Sequence, residues 1–111
     1  MSAVARRLDV ISEKTGVKER EFAQLLDTTP QTIHRWRNGQ VEPQSARLRR
    51  ILDLAFAAEE LGEIYTPDEA RAWLFSKNRL LSGRRPVELI AEDDMDTVLQ
   101  VISQLKDGAY S

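Results

Sequence analysis

Apolar residues recur every three or four positions along nearly the whole chain, a spacing that places them on one face of an α-helix. Neither the alternation typical of a half-buried strand nor a βαβ pattern occurs. The fold class is therefore predicted to be all-α. Four helices are expected in residues 1–61, and their apolar positions are Val4, Leu8 and Ile11; Phe22, Ala23, Leu25 and Leu26; Ile33 and Trp36; and Leu48, Ile51, Leu52, Ala55 and Ala58.

Turn and cap residues mark the boundaries of these helices. Gly16 and Gly39 are predicted to end the first and third helices, because glycine readily adopts the left-handed conformation that follows a helix end. Thr29 is expected to cap the third helix, with Pro30 in the first helical position, where its missing N–H costs nothing. The turn between the second and third helices is placed at residues 27–29.

Residues 62–111 begin with a helix start signal, a capping box formed by Thr66 and Glu69 with a proline between them. The helix that opens there is predicted to run to about Phe75. A short helix is expected within residues 76–85. The apolar positions of the first of these helices are Ala70, Trp73 and Leu74, of which Trp73 and Leu74 are expected to be core residues.

Two more helices are predicted at the end of the chain. Pro86 opens a short one, and Asp93 or Asp94 is expected to cap the last one. Gly108 is expected to end the last helix, so that residues 109–111 form a short tail. The apolar stripe of the last helix consists of Met95, Val98, Leu99, Ile102 and Leu105.

The 111 residues carry a net charge of only −2, but the charge is unevenly distributed. Residues 1–50 contain ten Lys and Arg against six Asp and Glu, whereas residues 51–111 contain six against twelve. The first part suits a partner that carries phosphates, and the second part would be repelled by one. Different partners are therefore expected for a domain at 1–61 and a domain at 62–111.

The composition also limits the expected location of the protein and the reactions that it could catalyse. The chain has no cysteine, which fits a reducing cytoplasm, and neither a signal peptide nor a membrane-spanning segment is expected. His34 is the single histidine, so that common catalytic triads and transition-metal sites cannot be assembled. Glycine-rich phosphate loops are also lacking. The chain is expected to be cytoplasmic and not an enzyme, with no cofactor, no metal and no membrane partner.

The run EREFAQLLDTTPQTIHRWRN at residues 19–38 suits two helices that meet steeply over a short turn. Ala23 is small where the helices must cross, and Ile33 follows ten residues later. This run resembles the helix-turn-helix of the Cro/repressor-like (Xre) family, whose second helix enters the major groove of DNA. Asp27 stands where that family usually has glycine, and aspartate tolerates a left-handed backbone better than most residues.

The resemblance implies a set of DNA contacts. The base-reading positions of the family fall on Pro30, Gln31, His34 and Arg35, and its phosphate contacts on Thr32, Arg37 and Asn38. Gln31 could read adenine and Arg35 guanine through paired hydrogen bonds. The alternative is that the helix pair only packs or dimerises, because a fold alone does not carry a function.

The second half contains a Trp-Leu pair at Trp73, an Asn followed by leucines at Asn78, a Gly-x-x-Pro turn at Gly83 and a glycine near the end at Gly108. In this order they resemble the toxin-binding domain of Xre/MbcA/ParS-type antitoxins, over about residues 60–111. With the helix-turn-helix, the resemblance covers nearly the whole chain.

This resemblance implies an antitoxin that binds a RES-domain toxin, an enzyme that degrades NAD⁺, and closes its NAD⁺ pocket with the C-terminal segment. Family members commonly form homodimers within a toxin–antitoxin hetero-oligomer and repress their own operon. Tyr110 could fill a pocket shaped for a planar ring, while Asp107 and the carboxylate of Ser111 could meet arginines that hold phosphates. The residues expected to bind the toxin are Arg84, Arg85, Lys106, Asp107, Gly108, Ala109, Tyr110 and Ser111.

Two other functions fit the same sequence. The chain could be a free-standing Xre-family repressor whose second half only dimerises or senses a ligand. It could also be a helical adaptor in which both halves contact protein. A neighbouring gene for a RES-type toxin would distinguish the antitoxin from the free-standing repressor.

Overall fold

The computed structural model describes the backbone of residues 2–110 and the side chains of residues 2–108. This part of the chain is built of α-helices and one turn of 3₁₀-helix at Arg79–Leu81, as the all-α prediction requires. The helices are α1 (Ala3–Thr15), α2 (Glu19–Leu25), α3 (Pro30–Arg37), α4 (Ser45–Gly62), α5 (Pro67–Phe75), α6 (Pro86–Ala91) and α7 (Met95–Tyr110).

Local signals in the sequence set most of the helix ends. Gly16 has a left-handed backbone with φ of 65° directly after α1. Thr29 caps α3, because its Oγ1 accepts a hydrogen bond of 3.2 Å from the backbone N–H of Thr32. Thr66 and Glu69 form the predicted reciprocal box, with bonds of 3.3 and 2.8 Å.

The turn between α2 and α3 depends on a left-handed aspartate. Asp27 has φ of 51°, a value that glycine adopts freely and that aspartate tolerates. The N–H of Thr28 donates to the carbonyl oxygen of Ala23 at 2.9 Å, which closes the end of α2. The expectation that Asp27 can stand in place of glycine is confirmed.

Helix α4 lies at the centre of the molecule and packs against α1, α5 and α7. Its buried face consists of Ile51, Leu54, Ala55, Ala57, Ala58 and Leu61, each at most 1% exposed. The side chains of the three alanines are small, so that neighbouring helices can approach α4 closely. Leu52, which the apolar spacing groups with this set, points to solvent and is 42% exposed.

One hydrophobic core joins residues from both halves of the chain. Phe22 and Ile33 of the first half and Leu74 and Ile102 of the second belong to the same cluster of buried side chains. Trp73, expected in the core, is only partly buried at its edge. The division into domains at 1–61 and 62–111 stays a prediction.

The connection between α5 and α6 is held by Asn78. Its side-chain oxygen accepts from the N–H of Leu80 at 2.9 Å, and its backbone pairs with that of Arg84. The start of α7 is capped by Asp94, whose Oδ1 accepts from the backbone N–H of Thr97 at 3.4 Å. Of the two caps considered, Asp94 is therefore the one in place.

The predicted end of α7 is wrong. The helix does not stop at Gly108 but continues to Tyr110. Gly16 and Gly39 have positive φ values of 65° and 72°, whereas Gly108 lies within the helix. Glycine in a helix costs only about 1 kcal/mol relative to alanine, so that it weakens a helix without ending it. Of the expected tail, only residue 111 lies outside the described residues.

Ion pairs of Lys106 with Glu60 and Glu63 hold the end of α7 against the end of α4. Lys106 Nζ lies 2.8 Å from Glu60 Oε2 and 2.5 Å from Glu63 Oε2. The hydrogen bonds to Glu60 and Glu63 raise the pKa of Lys106 well above its usual range. The hydrogen bond from Lys106 lowers the pKa of Glu63. The two helices therefore run parallel, with their C-terminal ends held together.

Enlarging an alanine of α4 should destabilise the protein. Ala58 is 1% exposed, and its replacement by leucine (Ala58→Leu) is expected to lower the free energy of unfolding by about 1–3 kcal/mol, because the core has no room for the added atoms. Urea unfolding followed by circular dichroism measures this. The matched control is Ala72→Leu at an exposed position of α5. Equal losses in both variants would contradict the close packing of α4.

The Lys106 ion pair should make stability depend on pH. Glu63 has a folded pKa below its ordinary 4.5, so its contribution is present above pH 4.5 and is lost as the pH falls further. Lys106 has a raised pKa, so its contribution is present below the ordinary 10.5 and is lost as the pH rises beyond it.

The variant Lys106→Met removes this charge while keeping an aliphatic side chain. We expect its stability to fall short of the parent between pH 5 and 10 and to approach it below pH 4. Thermal melting at a series of pH values measures the difference, with Lys77→Met at an exposed position as control. A difference that did not change with pH would show that the ion pair contributes nothing.

Candidate functional site

The solvent-facing side of α3 presents the residues predicted to read bases. Pro30, Gln31, His34 and Arg35 are exposed, and with Gln40 they line a depression of about 430 Å³. Thr29 and Pro30 fix the start of the helix, so that the side chains one turn apart point in one direction. The structure therefore brings the four base-reading candidates together on one surface.

The predicted phosphate contacts fall into two groups. Asn38 lies beside His34, with Nδ2 2.9 Å from Nε2, and is exposed on the same side of α3. Because an amide nitrogen only donates, the ring nitrogen of His34 accepts this bond. Thr32 is half-buried, and its hydroxyl lies 3.0 Å from that of Thr29 at the start of the helix.

Arg37 is not on this surface. Its guanidinium lies 2.5 Å from Asp9 Oδ1 and 2.7 Å from Glu19 Oε1, and it is stacked 5.8 Å from the ring of Phe22. Two carboxylates thus neutralise it, and its side chain is only 22% exposed. Arg37 fastens α3 to α1 and α2, and its use for a phosphate would require breaking both ion pairs.

Two arginines of α4 support the turn that orients α3. Arg47 donates to the carbonyl oxygen of Asp27 at 2.7 Å, and Arg50 donates to that of Leu25 at 3.1 Å. The last carbonyls of a helix lack partners within it, and guanidinium groups satisfy them. Sequence reasoning missed this role. The only signal was the basic cluster at residues 47–50, opposite a helix end that carries no basic residue of its own.

The predicted toxin contacts separate into two places. Arg84 pairs with Glu92 and approaches Glu88 at 3.8 Å, while Arg85 approaches Glu88 at 3.7 Å. The hydrogen bond to Glu92 raises the pKa of Arg84. The N–H of Arg85 lowers the pKa of Glu88 by donating to its carboxylate. Both arginines are exposed and locally neutralised.

Lys106 and Asp107 lie at the other end of α7. Lys106 is eleven residues beyond the start of that helix, a distance of about 16 Å along its axis. Its charge is turned back onto α4, whereas the side chain of Asp107 is exposed, as is Gly108. Ala109 and Tyr110 continue the helix, and Ser111 lies outside the described residues.

Arg71 of α5 links the two halves of the chain and was also missed. Its guanidinium pairs with Glu21 of α2 and stacks 5.0 Å from the ring of Phe75. The pair lies beside a cavity of about 190 Å³ between α2 and α6, which Glu21, Phe75 and Arg85 help to line. The position of α2 against the second half is therefore fixed by a charged contact.

No three His, Cys, Asp or Glu side chains of the described residues lie close enough together to hold a metal ion. Within the same residues, no helix has the length and apolar character needed to cross a membrane.

The chain is similar to known antitoxins over most of its length. Residues 57–108 match the model of the antitoxin Xre/MbcA/ParS C-terminal toxin-binding domain. The mycobacterial cidal antitoxin MbcA of Mycobacterium bovis and that of Mycobacterium tuberculosis are each 35% identical over 98 residues, covering 88% of this chain and 87% of the relative. A probable mycobacterial cidal antitoxin of M. tuberculosis is 34% identical over 96 residues, which cover 86% of this chain and 81% of that protein.

The fold of this chain is also similar to that of a solved structure. A chain in the crystal structure of the M. tuberculosis MbcT–MbcA toxin–antitoxin complex superposes with a TM-score of 0.85 and 32% identity, and 97% of each chain is covered. The resemblance seen in the sequence is confirmed: this chain belongs to the Xre/MbcA/ParS family of antitoxins.

Proposed function

We propose that this chain is the cytoplasmic antitoxin of a toxin–antitoxin pair and that it binds a cognate RES-domain toxin without any catalysis of its own. In this proposal the antitoxin keeps NAD⁺ out of the toxin's pocket. The observation that carries it is the match along 97% of the chain to a chain of a toxin–antitoxin complex. The match of residues 57–108 to a toxin-binding domain supports a toxin contact in the second half.

The C-terminal end of α7 is the part proposed to close the pocket. Lys106 holds the helix on α4, and residues 107–110 continue beyond this attachment as one further turn. A helical end is better ordered than a free tail, so that less conformational entropy is lost on binding. Tyr110 supplies an aromatic ring for the pocket, and Asp107 supplies a carboxylate for a cationic group.

Arg84 and Arg85 have a lesser role in this proposal. They lie near the start of α7, far from the end that enters the pocket, and Glu88 and Glu92 balance their charges. We assign them to the rim of the toxin interface, where exposed charges affect the association rate more than the affinity.

The exposed face of α3 favours a second activity, repression of the chain's own operon. Gln31, His34 and Arg35 share that face and are free of ion pairs to other described residues. A glutamine and an arginine can each make paired hydrogen bonds to a base in the major groove. We propose that operator DNA binds there and that the antitoxin acts as a homodimer within the hetero-oligomer.

Removing the end of α7 should separate neutralisation from folding. Deletion of residues 107–111 is expected to leave the fold intact, because Ile102, Leu105 and Lys106 remain. It is expected to abolish protection against the toxin, because the pocket stays open. Growth and NAD⁺ content of cells that co-express the toxin measure protection.

The control for this deletion is Lys77→Ala at an exposed position of the second half, which should protect cells fully. Thermal melting of the purified truncated protein shows whether it is folded. A folded, truncated protein that still protects cells would refute the pocket-closing role of α7.

Replacing Arg35 should weaken DNA binding at one position of the operator. The variant Arg35→Ala is expected to lose roughly tenfold in affinity for a fragment of its own promoter, since a paired contact to guanine contributes about 1–3 kcal/mol. Gel shifts at 50 and 200 mM salt measure this, and binding should fall steeply with salt.

Arg79→Ala is the matched control for Arg35→Ala, because it removes an exposed arginine from the second half. It should bind the promoter fragment as the parent does. Binding that was absent or insensitive to salt would favour the helical adaptor, and DNA binding without any toxin partner would favour the free-standing repressor.

A further inference from the structure

The exposed end of α3 carries the Asn-Gly sequence of this chain. Asn38 is followed directly by Gly39, whereas the second asparagine, Asn78, is followed by Arg79. The side-chain amide of an asparagine is most easily lost in front of glycine, because no Cβ shields the backbone nitrogen that attacks it. Asn38 and Gly39 are both exposed, and apart from its chain neighbours no heavy atom of the described residues lies within 4 Å of the Cβ position of Gly39. Asn38 is thus the more vulnerable asparagine.

The backbone of this turn controls access to the reaction. The N–H of Gly39 donates to the carbonyl oxygen of Trp36 at 3.2 Å, and the N–H of Gln40 donates to that of Arg35 at 3.0 Å. These are the paired bonds that close a helix at a left-handed glycine, and Gly39 has a φ of 72°. The nitrogen of Gly39 can attack only when this last turn opens. Helix ends open at a much lower free energy than core segments, so the reaction proceeds in the folded protein, more slowly than in an unfolded chain.

His34 lies beside the nitrogen that leaves in such a reaction. Its Nε2 is 2.9 Å from Nδ2 of Asn38, one helical turn further along. An amide nitrogen must gain a proton in order to leave, and a histidine ring exchanges protons near neutral pH. His34 is therefore within reach of the atom that has to be protonated.

We propose that Asn38 is a site of spontaneous deamidation, that His34 assists the reaction, and that the product adds a negative charge to the exposed face of α3. In the first step, the backbone nitrogen of Gly39 releases its proton and bonds to Cγ of Asn38. The bond between Cγ and Nδ2 then breaks, and His34 passes a proton to the departing nitrogen, which leaves as ammonia. The proton that Gly39 released returns to His34 through solvent, and a cyclic imide remains.

Water completes the reaction by opening the imide. If the bond from Cγ to the nitrogen of Gly39 breaks, residue 38 becomes an aspartate. If the bond from the main-chain carbonyl carbon breaks, the chain continues through Cγ and residue 38 becomes an isoaspartate. In both cases one amide and one water give one carboxylate and one ammonium ion. Nothing is oxidised or reduced, and water is the only reactant consumed.

The product changes the surface proposed to bind DNA, and in this respect the inference rests on the proposed function. A carboxylate at the C-terminal end of α3 opposes the helix dipole and repels phosphates. An isoaspartate also adds one carbon atom to the main chain, which misplaces the hydrogen bonds of Gly39 and Gln40. Operator binding should therefore weaken as the protein ages. The end of α7 does not include this turn, so protection against the toxin should persist.

Mass spectrometry of aged protein tests the reaction itself. The purified full chain is incubated for days in mildly alkaline buffer and then mapped as peptides. The peptide that contains Asn38 should gain about 1 Da, the difference between an amide and an acid, while the peptide that contains Asn78 should not. The variant Asn38→Ser lacks the amide and should keep its mass. The variant His34→Leu should react several-fold more slowly, and circular dichroism confirms that it is folded.

A second test measures the effect of the new charge on DNA binding. Asn38→Asp imitates the aspartate product, and Asn38→Ser is its matched control because it removes the amide without adding a charge. In gel shifts with the promoter fragment, Asn38→Asp should bind roughly tenfold more weakly than Asn38→Ser. The aged parent should lose affinity in proportion to its deamidated fraction. Both variants should protect cells that co-express the toxin equally well.

Each part of the proposal can fail separately. If the Asn38 peptide of the folded protein keeps its mass while an unfolded synthetic peptide of residues 34–42 gains it, the modification site is overturned. An unchanged rate in His34→Leu removes His34 from the reaction. Equal DNA binding by Asn38→Asp and Asn38→Ser overturns the effect on the surface. A parent chain that does not bind the promoter contradicts the proposed repression, while the peptide masses still decide whether Asn38 is modified.

Discussion

The close approach of several helices to α4 is the constraint on which the rest of the structure depends. Ala55, Ala57 and Ala58 leave room for helices from both halves of the chain to lie against one central helix. Helix α7 packs directly on α4, whereas α3 packs on α1 and α2, and α4 supports these two through its contact with α1 and through Arg47 and Arg50. A change in the packing of α4 is therefore expected to reach both candidate binding surfaces.

Charged side chains also hold particular helices against one another. Arg47 and Arg50 hold the end of α2, Arg37 holds α3 against α1, and Arg71 connects α2 to α5. Arg37, Arg47 and Arg50 are three of the ten basic residues of residues 1–50, and their charge is thus committed to contacts within the molecule. The surplus of basic residues overstates the charge available for phosphates, and the exposed face of α3 relies on Arg35 together with neutral hydrogen-bonding groups.

The sequence was sufficient where a structure is set by neighbours along the chain. The caps at Thr29 and Thr66 and the turn at Asp27 follow from side chains within four residues of the backbone groups that they satisfy. The sequence was insufficient where contacts between segments that are far apart along the chain determine the structure. The ion pairs of Arg37 and the exposure of Leu52 depend on which helices surround them, and periodicity alone could not separate the two faces of α4.

The continuation of α7 past Gly108 has an electrostatic consequence. The carbonyl groups at the C-terminal end of a helix carry a partial negative charge of about half an electron. The last turn of α7 contains no basic residue, Asp107 adds a full negative charge, and the ammonium of Lys106 is directed back towards Glu60 and Glu63. This end of the chain is thus a compact anion, which a positively charged surface of a partner protein would attract.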